Sequence, residues 1–290
     1  MKNLEFSGKE ILLWRKKLLS YGGRRVDLDW LLDIGGGVRW SELQLMLIEP
    51  NRSLILNQPL DFLQSLWEEH IDKQIPLQHL LGLCPWRDFE LEVSAAALIP
   101  RQETELLIDL ALRRFEKNFF GLWADLGTGS GALAVALARA LPDSTGHAVE
   151  FSDVAVSLAS RNLKRLAPQA NVELHLGSWW QPLRPWWGMF DLVLANPPYI
   201  PSAVLNGLDP IVRNNEPHIA LCGGPDGLNA FREIISGAST AMLIGGWLML
   251  EHHHDQSDQV LDLMRKAGFQ DVSYEKDLEG VKRFALGRNQ

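Results

Sequence analysis

The sequence predicts an α/β protein in which a parallel, doubly wound sheet follows a small block of helices. From Ile99 onward, short apolar runs alternate with amphipathic segments, which is the pattern of strands joined by crossover helices. One of these runs, Leu122–Leu126, passes directly into a glycine-rich loop and an alanine-rich helix. Before about residue 75 the apolar residues recur at helical spacing instead. These three observations divide the chain into a helical N-terminal part and an α/β part.

The composition is that of a globular protein without membrane-spanning or secretory segments. Of the 290 residues, 46% are hydrophobic and 22% are charged, which is far from the composition of a disordered chain. No apolar run approaches the roughly 18–20 residues that cross a bilayer. The N-terminal segment carries acids and lacks the apolar core of a signal peptide. We therefore expect a cytoplasmic protein.

The net charge and the cysteine count restrict the partners. The formal net charge of −8 argues against a partner held mainly through its phosphates, because such partners favour a basic surface. Cys84 and Cys222 are the only cysteines, too few for a disulfide framework or for a zinc site of their own. We expect neither a membrane nor a directly bound nucleic acid as a partner.

Residues 1–75 are predicted to form a small helical bundle. We interpret it as a substrate-recognition domain, and the sequence leaves a purely structural bundle open as the alternative. The first helix is expected to end at Gly22, because glycine readily adopts the left-handed conformation that closes a helix. The second is expected to begin with Asp27 as its cap. Ser41 and Gln44 have the spacing of a capping box at the start of the third.

Residues 76–98 are predicted to link the two parts through a β-hairpin. Phe89, Leu91 and Val93 alternate with two glutamates, and this period of two indicates a half-exposed strand. The alternation of strands and helices then occupies residues 99–290, which we interpret as the catalytic domain.

The loop after the first α/β strand has the composition of a cofactor-binding turn. Its glycines permit a tight turn and let backbone N–H groups approach a ligand closely. Roughly 20 residues later, an acid ends the next predicted strand, where its carboxylate can accept hydrogen bonds from ribose hydroxyls. The same spacing satisfies the dinucleotide fingerprint, so the loop indicates an adenosine-containing cofactor and leaves NAD open. The candidate cofactor residues here are Gly127, Thr128, Gly129, Ser130, Gly131 and Glu150.

A second motif, Asn196-Pro197-Pro198-Tyr199, follows the strand predicted over Asp191–Ala195. Two prolines end the strand because they remove its backbone donors and stiffen the turn. The Asn196 amide oxygen and the Pro197 carbonyl then offer two acceptors to one planar NH2 group. Tyr199 offers a flat face to the group that carries it. Asn196, Pro197 and Tyr199 are the candidate catalytic residues, and together with Pro198 they are the candidate substrate-binding residues.

This motif suits methyl transfer to an amide or amino nitrogen. An amide nitrogen is a poor nucleophile because its lone pair is delocalised into the carbonyl. Two acceptors that hold its N–H bonds orient it toward an electrophilic methyl group and stabilise the positive charge that grows on it. The proton leaves after attack, so no strong base is needed beforehand. Hydride transfer gives no reason for such a motif.

Together the two motifs resemble those of class I amino-methyltransferases. Other segments are similar to the release factor glutamine N5-methyltransferase family, including its IPRxETE pattern. These segments are residues 76–82, residues 99–105, Asn215-Glu216-Pro217, Ala220-Leu221, Gly223-Gly224 and Asp226-Gly227-Leu228. The resemblance is dense from about Pro76 onward and thin before it.

The resemblance implies a fold and an activity. The fold is a helical N-terminal domain, a β-hairpin linker and a seven-stranded, Rossmann-like class I methyltransferase domain. The activity is methylation of the glutamine in the Gly-Gly-Gln loop of peptide chain release factors, with S-adenosylmethionine as cofactor. The release factor is therefore the expected protein partner.

The resemblance also assigns roles to residues of the cofactor site. It implies that Gly127–Gly131 hold the methionine end of the cofactor and that Trp179 lies along the adenine. Asn196 is expected to lie beside the cofactor while it grips the acceptor glutamine. Ser178 stands where the family typically carries an aspartate that faces the adenine amino group. A hydroxyl can still hydrogen-bond there, but less strongly than a carboxylate.

Two other functions remain open from the sequence. The same motif serves exocyclic amino groups on bases, so a nucleic-acid methyltransferase is one alternative. A non-catalytic domain on the same scaffold is another. His252-His253-His254 is interpreted as a polar loop and not as a metal site, because neighbouring residues of a strand point to opposite faces. No metal is expected.

Overall fold

The structure is a computed structural model and describes residues 4–290. The chain separates into two compact units. The first, here called the helical unit, contains the chain up to Gly82 together with Pro210–Asn215. The second, here called the sheet unit, contains Leu83–Asp209 and Glu216–Gln290.

The helical unit contains six helices and a pair of short strands within the described residues. Its core is built from leucine, isoleucine and tryptophan side chains at helical spacing, and the buried Trp67 indole donates to the Leu18 carbonyl. The antiparallel strand pair was not predicted. The elements are β1 (Glu5–Ser7), α1 (Gly8–Tyr21), α2 (Arg25–Ile34), α3 (Trp40–Ile48), β2 (Ser53–Ile55), α4 (Leu60–Lys73), α5 (Leu77–Leu81) and, later in the chain, α9 (Pro210–Asn215).

Two helix starts differ from the prediction. The helix α2 begins before Asp27, which lies in its first turn and pairs with Arg24 at 2.7 Å. In α3 the backbone N–H of Arg39 donates to the Glu42 carboxylate at 3.2 Å, and Ser41 lies inside the helix. Acids in a first turn are favourable to the helix dipole whether or not they cap the helix. The polar residues therefore indicated the right region and the wrong boundary.

The sheet unit contains a hairpin and a seven-stranded sheet. The strand order of the sheet is β10-β11-β9-β8-β5-β6-β7. The strands are β3 (Leu83–Trp86) and β4 (Phe89–Glu92), which form the hairpin, and β5 (Leu122–Leu126), β6 (Thr145–Glu150), β7 (Asn171–Leu176), β8 (Phe190–Ala195), β9 (Met242–Glu251), β10 (Gln270–Lys276) and β11 (Lys282–Arg288). The helices are α6 (Glu105–Leu112), α7 (Ala132–Ala140), α8 (Asp153–Leu166), α10 (His218–Leu221), α11 (Asn229–Ala241) and α12 (Ser257–Lys266).

The seven-stranded sheet confirms the predicted fold class, with one difference in strand direction. The strands β5 to β9 are parallel, whereas β11 runs antiparallel to both of its neighbours, β9 and β10. Only a short turn separates β10 from β11, and a connection of that length can join antiparallel strands but not parallel ones. The sheet is therefore mostly parallel, as predicted, and β11 is the strand that departs from this direction.

The topology brings the carboxyl ends of the central strands together. In β5 and β6 Leu126 is paired with Val149, and in β8 and β9 Ala195 is paired with Leu250. The residues that follow β5, β6 and β8 therefore meet at one edge of the sheet, where ligands bind in open α/β folds. Among the helices of residues 4–290, none is both long and apolar enough to cross a membrane.

The hairpin is tied to the sheet unit by a buried asparagine on α8. The Asn162 amide donates to the carbonyls of Glu92 and Ser130 at 2.9 Å each, and its oxygen accepts the Glu92 N–H at 2.8 Å. Since Ser130 belongs to the glycine loop and Glu92 to β4, one side chain holds the end of the hairpin beside that loop.

Candidate active site

A cavity of about 340 Å³ lies over the carboxyl ends of β5, β6 and β8. Its volume falls within the usual range for small-molecule sites. It is lined by residues from both motifs that the sequence singled out. These are Gly127, Thr128, Gly129, Ser130, Glu150, Ser178, Trp179, Asn196 and Pro198.

The glycine loop is a tight turn folded back on β6. The backbone N–H groups of Gly127 and Thr128 both donate to the Val149 carbonyl at 2.9 Å. Gly127 and Gly129 have φ values of +80° and +56°. Backbone in this left-handed region strongly favours glycine, because a Cβ there crowds the following carbonyl.

A buried carboxyl braces the loop from below. Asp125, the fourth residue of β5, accepts the Thr128 hydroxyl at 2.5 Å and the backbone N–H of Ala134 at 3.1 Å. Its other oxygen has no partner among the described residues. Burial raises the pKa of Asp125 to about 7. This residue therefore links the strand, the loop and the helix α7, and it does not line the cavity.

Glu150 is held in a fixed orientation at the end of β6. One carboxylate oxygen accepts the backbone N–H of Gly129 at 2.9 Å. The other accepts the N–H groups of Phe151 and Ser152 at 2.8 and 3.0 Å. A carboxylate has about four acceptor sites, so it still has capacity for a ligand hydroxyl.

Trp179 and Ser178 lie at one wall of the cavity. Trp179 adopts φ +43°, which is uncommon for a bulky residue. Its ring lies over the loop so closely that a Cβ added at Gly127 would be 3.2 Å from it. Glu233 of α11 lines the same cavity. Sequence reasoning missed this acid, because nothing in its spacing relates it to Ser178.

Three candidate residues do not line the cavity. Gly131 caps α7 and packs against Ala159, with φ +88°. Pro197 is buried under the turn. Tyr199 lies largely buried beside it, and burial raises the pKa of its phenol to about 12. Gln256 donates to the Tyr199 carbonyl at 2.9 Å, which braces the turn from the segment before α12.

Asn196 is the polar group of the second motif that faces the cavity. Its side-chain N–H donates to the Thr104 hydroxyl at 3.1 Å. That hydroxyl donates to the Glu251 carboxylate at 2.6 Å. Burial raises the pKa of Glu251 to about 7. Sequence reasoning missed both partners as site residues. Thr104 lies within the IPRxETE segment, whereas Glu251 carried no signal.

An ion pair closes another side of the cavity. Arg101, which lines it, donates to Glu216 at 2.6 Å, and the Glu216 side chain is 1% exposed. The second Glu216 oxygen has no partner among the described residues. The family-like segments around residues 101 and 216 therefore meet in space.

The histidine run lies after β9, and a separate histidine pair lies on the neighbouring strands β6 and β7. His252–His254 form a loop after β9, as predicted, although His252 is buried. Within residues 4–290, one group has ligand atoms within 4.8 Å of one another, namely His147, Glu173 and His175. The two imidazoles already hydrogen-bond at 3.0 Å. The buried Nε2 of His147 has no hydrogen-bonding partner among the described residues, whereas the second nitrogen of a metal-bound imidazole usually has one.

The fold and this site define a class I methyltransferase. A dinucleotide-binding fold would have parallel strands in the order 3-2-1-4-5-6, whereas here the antiparallel β11 lies between β9 and β10. The family model for the methyltransferase small domain matches residues 102–206. The hMettl16 catalytic domain, solved in complex with the MAT2A 3′UTR hairpin 6, aligns with a TM-score of 0.54 and 14% identity, over 82% of this chain and 84% of that chain. This likeness concerns the fold alone.

Two relatives identify the family. A release factor glutamine methyltransferase from Prochlorococcus marinus is 58% identical to this chain, and the alignment covers 97% of each of the two chains. Another, from Synechocystis sp., is 35% identical and also covers 97% of each chain. The chain belongs to the release factor glutamine methyltransferase family, which confirms the resemblance found in the sequence.

Proposed function

We propose that this chain transfers a methyl group from S-adenosylmethionine to the side-chain amide nitrogen, N5, of the glutamine in the Gly-Gly-Gln loop of peptide chain release factors. The observation that carries the proposal is the orientation of Asn196. Because its NH2 group is bound to Thr104, its oxygen is the atom left to accept a hydrogen bond. An acceptor at this position suits a substrate NH2 group.

The cavity residues fit the cofactor in shape and in chemistry. The N-terminal end of α7, which lines the cavity through Ala132 and Leu133, is favourable to the methionine carboxylate because of the helix dipole and its first-turn N–H groups. The fixed Glu150 carboxylate suits the ribose hydroxyls, and the Trp179 ring suits the adenine face. Ser178 and Glu233, which both line the cavity, are the polar groups that we place opposite the adenine amino group. Bound S-adenosylmethionine supplies an electrophilic methyl group on a sulfonium.

The residues of the second motif orient the acceptor nitrogen. Asn196, which lines the cavity, accepts one of its N–H bonds. The Pro197 carbonyl and Tyr199 belong to the same turn but lie outside the cavity, and we place them at the second N–H bond and against the amide plane once the substrate is bound. Pro198 stiffens the turn that holds them. As positive charge grows on the nitrogen, the two oxygens stabilise it more strongly than they stabilise the neutral amide. The amide proton leaves to water after the new N–C bond has formed.

We further propose that the helical unit binds the release factor. Its helix α3 exposes Leu47 and Ile48, whose exposed fractions are 57% and 77%. Replacing both with serine should raise the KM for the release factor and leave the cofactor Kd unchanged. Leu278→Ser is the control, because Leu278 is an exposed leucine of the sheet unit. An equal rise in KM for the control would argue against the assignment.

Labelled methyl transfer tests the activity directly. The enzyme and labelled cofactor are incubated separately with a release factor, with the same factor carrying alanine in place of the loop glutamine, with DNA and with RNA. We expect label in the unaltered release factor alone. The net charge of −8 supports this preference for protein over nucleic acid. Label in DNA or RNA and none in protein would overturn the proposal.

A further inference from the structure

We propose that Thr104 and Glu251 are positioning residues that fix which way round the Asn196 amide faces, so that its oxygen and not its NH2 group meets the substrate. This inference rests on the proposed function, since it explains how an acceptor is presented to a glutamine amide. Neither residue touches the reacting atoms in this account. Both act through Asn196.

An asparagine needs such positioning because the oxygen and the NH2 group of its side-chain amide have nearly the same shape. A half-turn of the amide exchanges an acceptor for a donor. The turned form would present N–H bonds to the N–H bonds of the substrate. It would also remove one of the two oxygens that stabilise the growing positive charge. An active site that depends on the oxygen must therefore bind the NH2 group elsewhere.

Thr104 alone could not make this choice. A hydroxyl can both donate and accept, so it could serve either end of the Asn196 amide. An ionised carboxylate can only accept. Because Glu251 lies 2.6 Å from the hydroxyl, the single hydroxyl proton is directed to the carboxylate. The Thr104 oxygen is then left as an acceptor, and Asn196 meets it with an N–H at 3.1 Å.

The fold places the three residues for this role. Asn196 and Glu251 lie next to each other at the ends of β8 and β9, since the preceding residues, Ala195 and Leu250, are paired in the sheet. Thr104 is the N-cap residue of α6. Thr104 and Glu251 are 5% and 1% exposed. Water therefore competes little with either hydrogen bond, and both keep their direction.

The charge of Glu251 controls the direction of the two hydrogen bonds that connect it through Thr104 to Asn196. Its surroundings contain charges of both signs. The groups that influence its charge are Arg283, Arg101, Glu103 and Tyr199. A protonated Glu251 could donate to Thr104, which would free the hydroxyl proton for the Asn196 oxygen and permit the turned amide. Burial raises the pKa of Glu251 to about 7. Both hydrogen bonds therefore keep the direction described above only when the pH is above that value.

A double-mutant cycle tests the role in turnover. Thr104→Val keeps the shape and removes the hydroxyl, and Thr104→Ser restores the hydroxyl. We expect Thr104→Val to lower kcat by about 10–100-fold, less than the loss of the acceptor itself, with the cofactor Kd within about twofold. Thr104→Ser should recover most of the rate. In an Asn196→Ala background the valine should cost almost nothing further. An equal cost in both backgrounds, or a serine variant as slow as the valine variant, would overturn the proposal.

A second readout separates this inference from the proposed function. Selective 15N labelling of asparagine gives the side-chain NH2 signals of Asn196 in the cofactor-bound enzyme, without any release factor. We expect slowly exchanging signals that shift with the ionisation of Glu251 and lose their protection in Thr104→Val. Unchanged signals in that variant would overturn the positioning role alone. Absence of methylation by the unaltered enzyme would overturn the proposed function alone.

Discussion

The side chains of Asn196 and Thr104 are joined by a hydrogen bond of 3.1 Å, in which the asparagine N–H donates to the threonine hydroxyl. The two residues lie 92 positions apart in the chain. One comes from the turn after β8 and the other from the start of α6. This bond occupies the NH2 group of the Asn196 amide, and it leaves the amide oxygen as the group that faces the cavity.

Removal of the Asn196 amide should reduce catalysis and spare cofactor binding. Asn196→Ala removes one of two preorganised acceptors, and we expect turnover to fall by about 10²–10³-fold. The cofactor Kd, measured by calorimetry, should change little. Asn171→Ala is the matched control, because that amide lies on the exposed strand β7 and, among residues 4–290, donates to Thr145 alone. Equal turnover in the Asn196 variant and the unaltered enzyme would remove this residue from the mechanism.

A side chain at Gly129 should block cofactor binding. Its φ of +56° suits glycine, and valine there would strain the turn and project into the cavity. We expect the cofactor Kd to rise at least about tenfold, which corresponds to 1.4 kcal/mol. Gly188→Val is the control, because Gly188 has φ +81° and open space around its missing Cβ. If both variants bind cofactor equally well, the loop has been assigned wrongly.

Introducing a carboxylate at position 178 should tighten cofactor binding. Hydrogen bonds to charged groups contribute about 1.5–3 kcal/mol against about 1 kcal/mol for neutral pairs, so Ser178→Asp should lower the Kd by about 3–30-fold. Ser178→Asn is the uncharged control and should gain less. Glu233→Gln should weaken cofactor binding when it is introduced into the unaltered enzyme. The same substitution should have a smaller effect in the Ser178→Asp variant. Weaker binding by Ser178→Asp would contradict the placement of this residue at the adenine.

The stability of the enzyme should depend on pH through Asp125. Burial raises the pKa of Asp125 from 3.8 to about 7. As the pH rises through this window, the unfolded chain loses the proton before the folded protein does. The free energy of unfolding therefore falls between about pH 4 and pH 7, by at most about 4 kcal/mol. The loss is complete above pH 7.

Asp125→Asn isolates this contribution in urea unfolding experiments. The amide oxygen can still accept from Thr128 and Ala134, and the variant carries no titrating group at this position. The unaltered enzyme should lose stability relative to the variant between about pH 4 and pH 7. Other titrating groups, including Glu251, are common to both proteins and cancel in the difference. Parallel stability curves would mean that Asp125 does not titrate in this range.

Much of the fold followed from local patterns along the chain. The alternation of strands and helices, the glycine loop and the proline turn each depend on residues within a few positions of one another. The pair of β1 and β2 could not be predicted, because its three-residue strands lie far apart and carry no periodicity. The direction of β11 depended on the length of one turn, and the alternation of strands and helices gave no reason to separate that strand from the others.

The candidate site also contains some residues that local patterns predict and others that they do not. Gly127, Glu150 and Asn196 carry motif signals, and the structure brings them to one cavity. Glu251 and Glu233 reach the site only through tertiary packing, and no spacing along the chain distinguishes them from structural acids. Motifs therefore predict the groups that face the ligands. They do not predict the neighbours that orient those groups.

The most direct test is a crystal structure of the enzyme with S-adenosylhomocysteine and a release factor that carries the loop glutamine. We predict that the Asn196 oxygen and the Pro197 carbonyl each lie about 3 Å from the glutamine side-chain nitrogen. The Asn196 NH2 group should remain bound to Thr104. A glutamine nitrogen held by other groups, or met by the NH2 end of Asn196, would contradict the account.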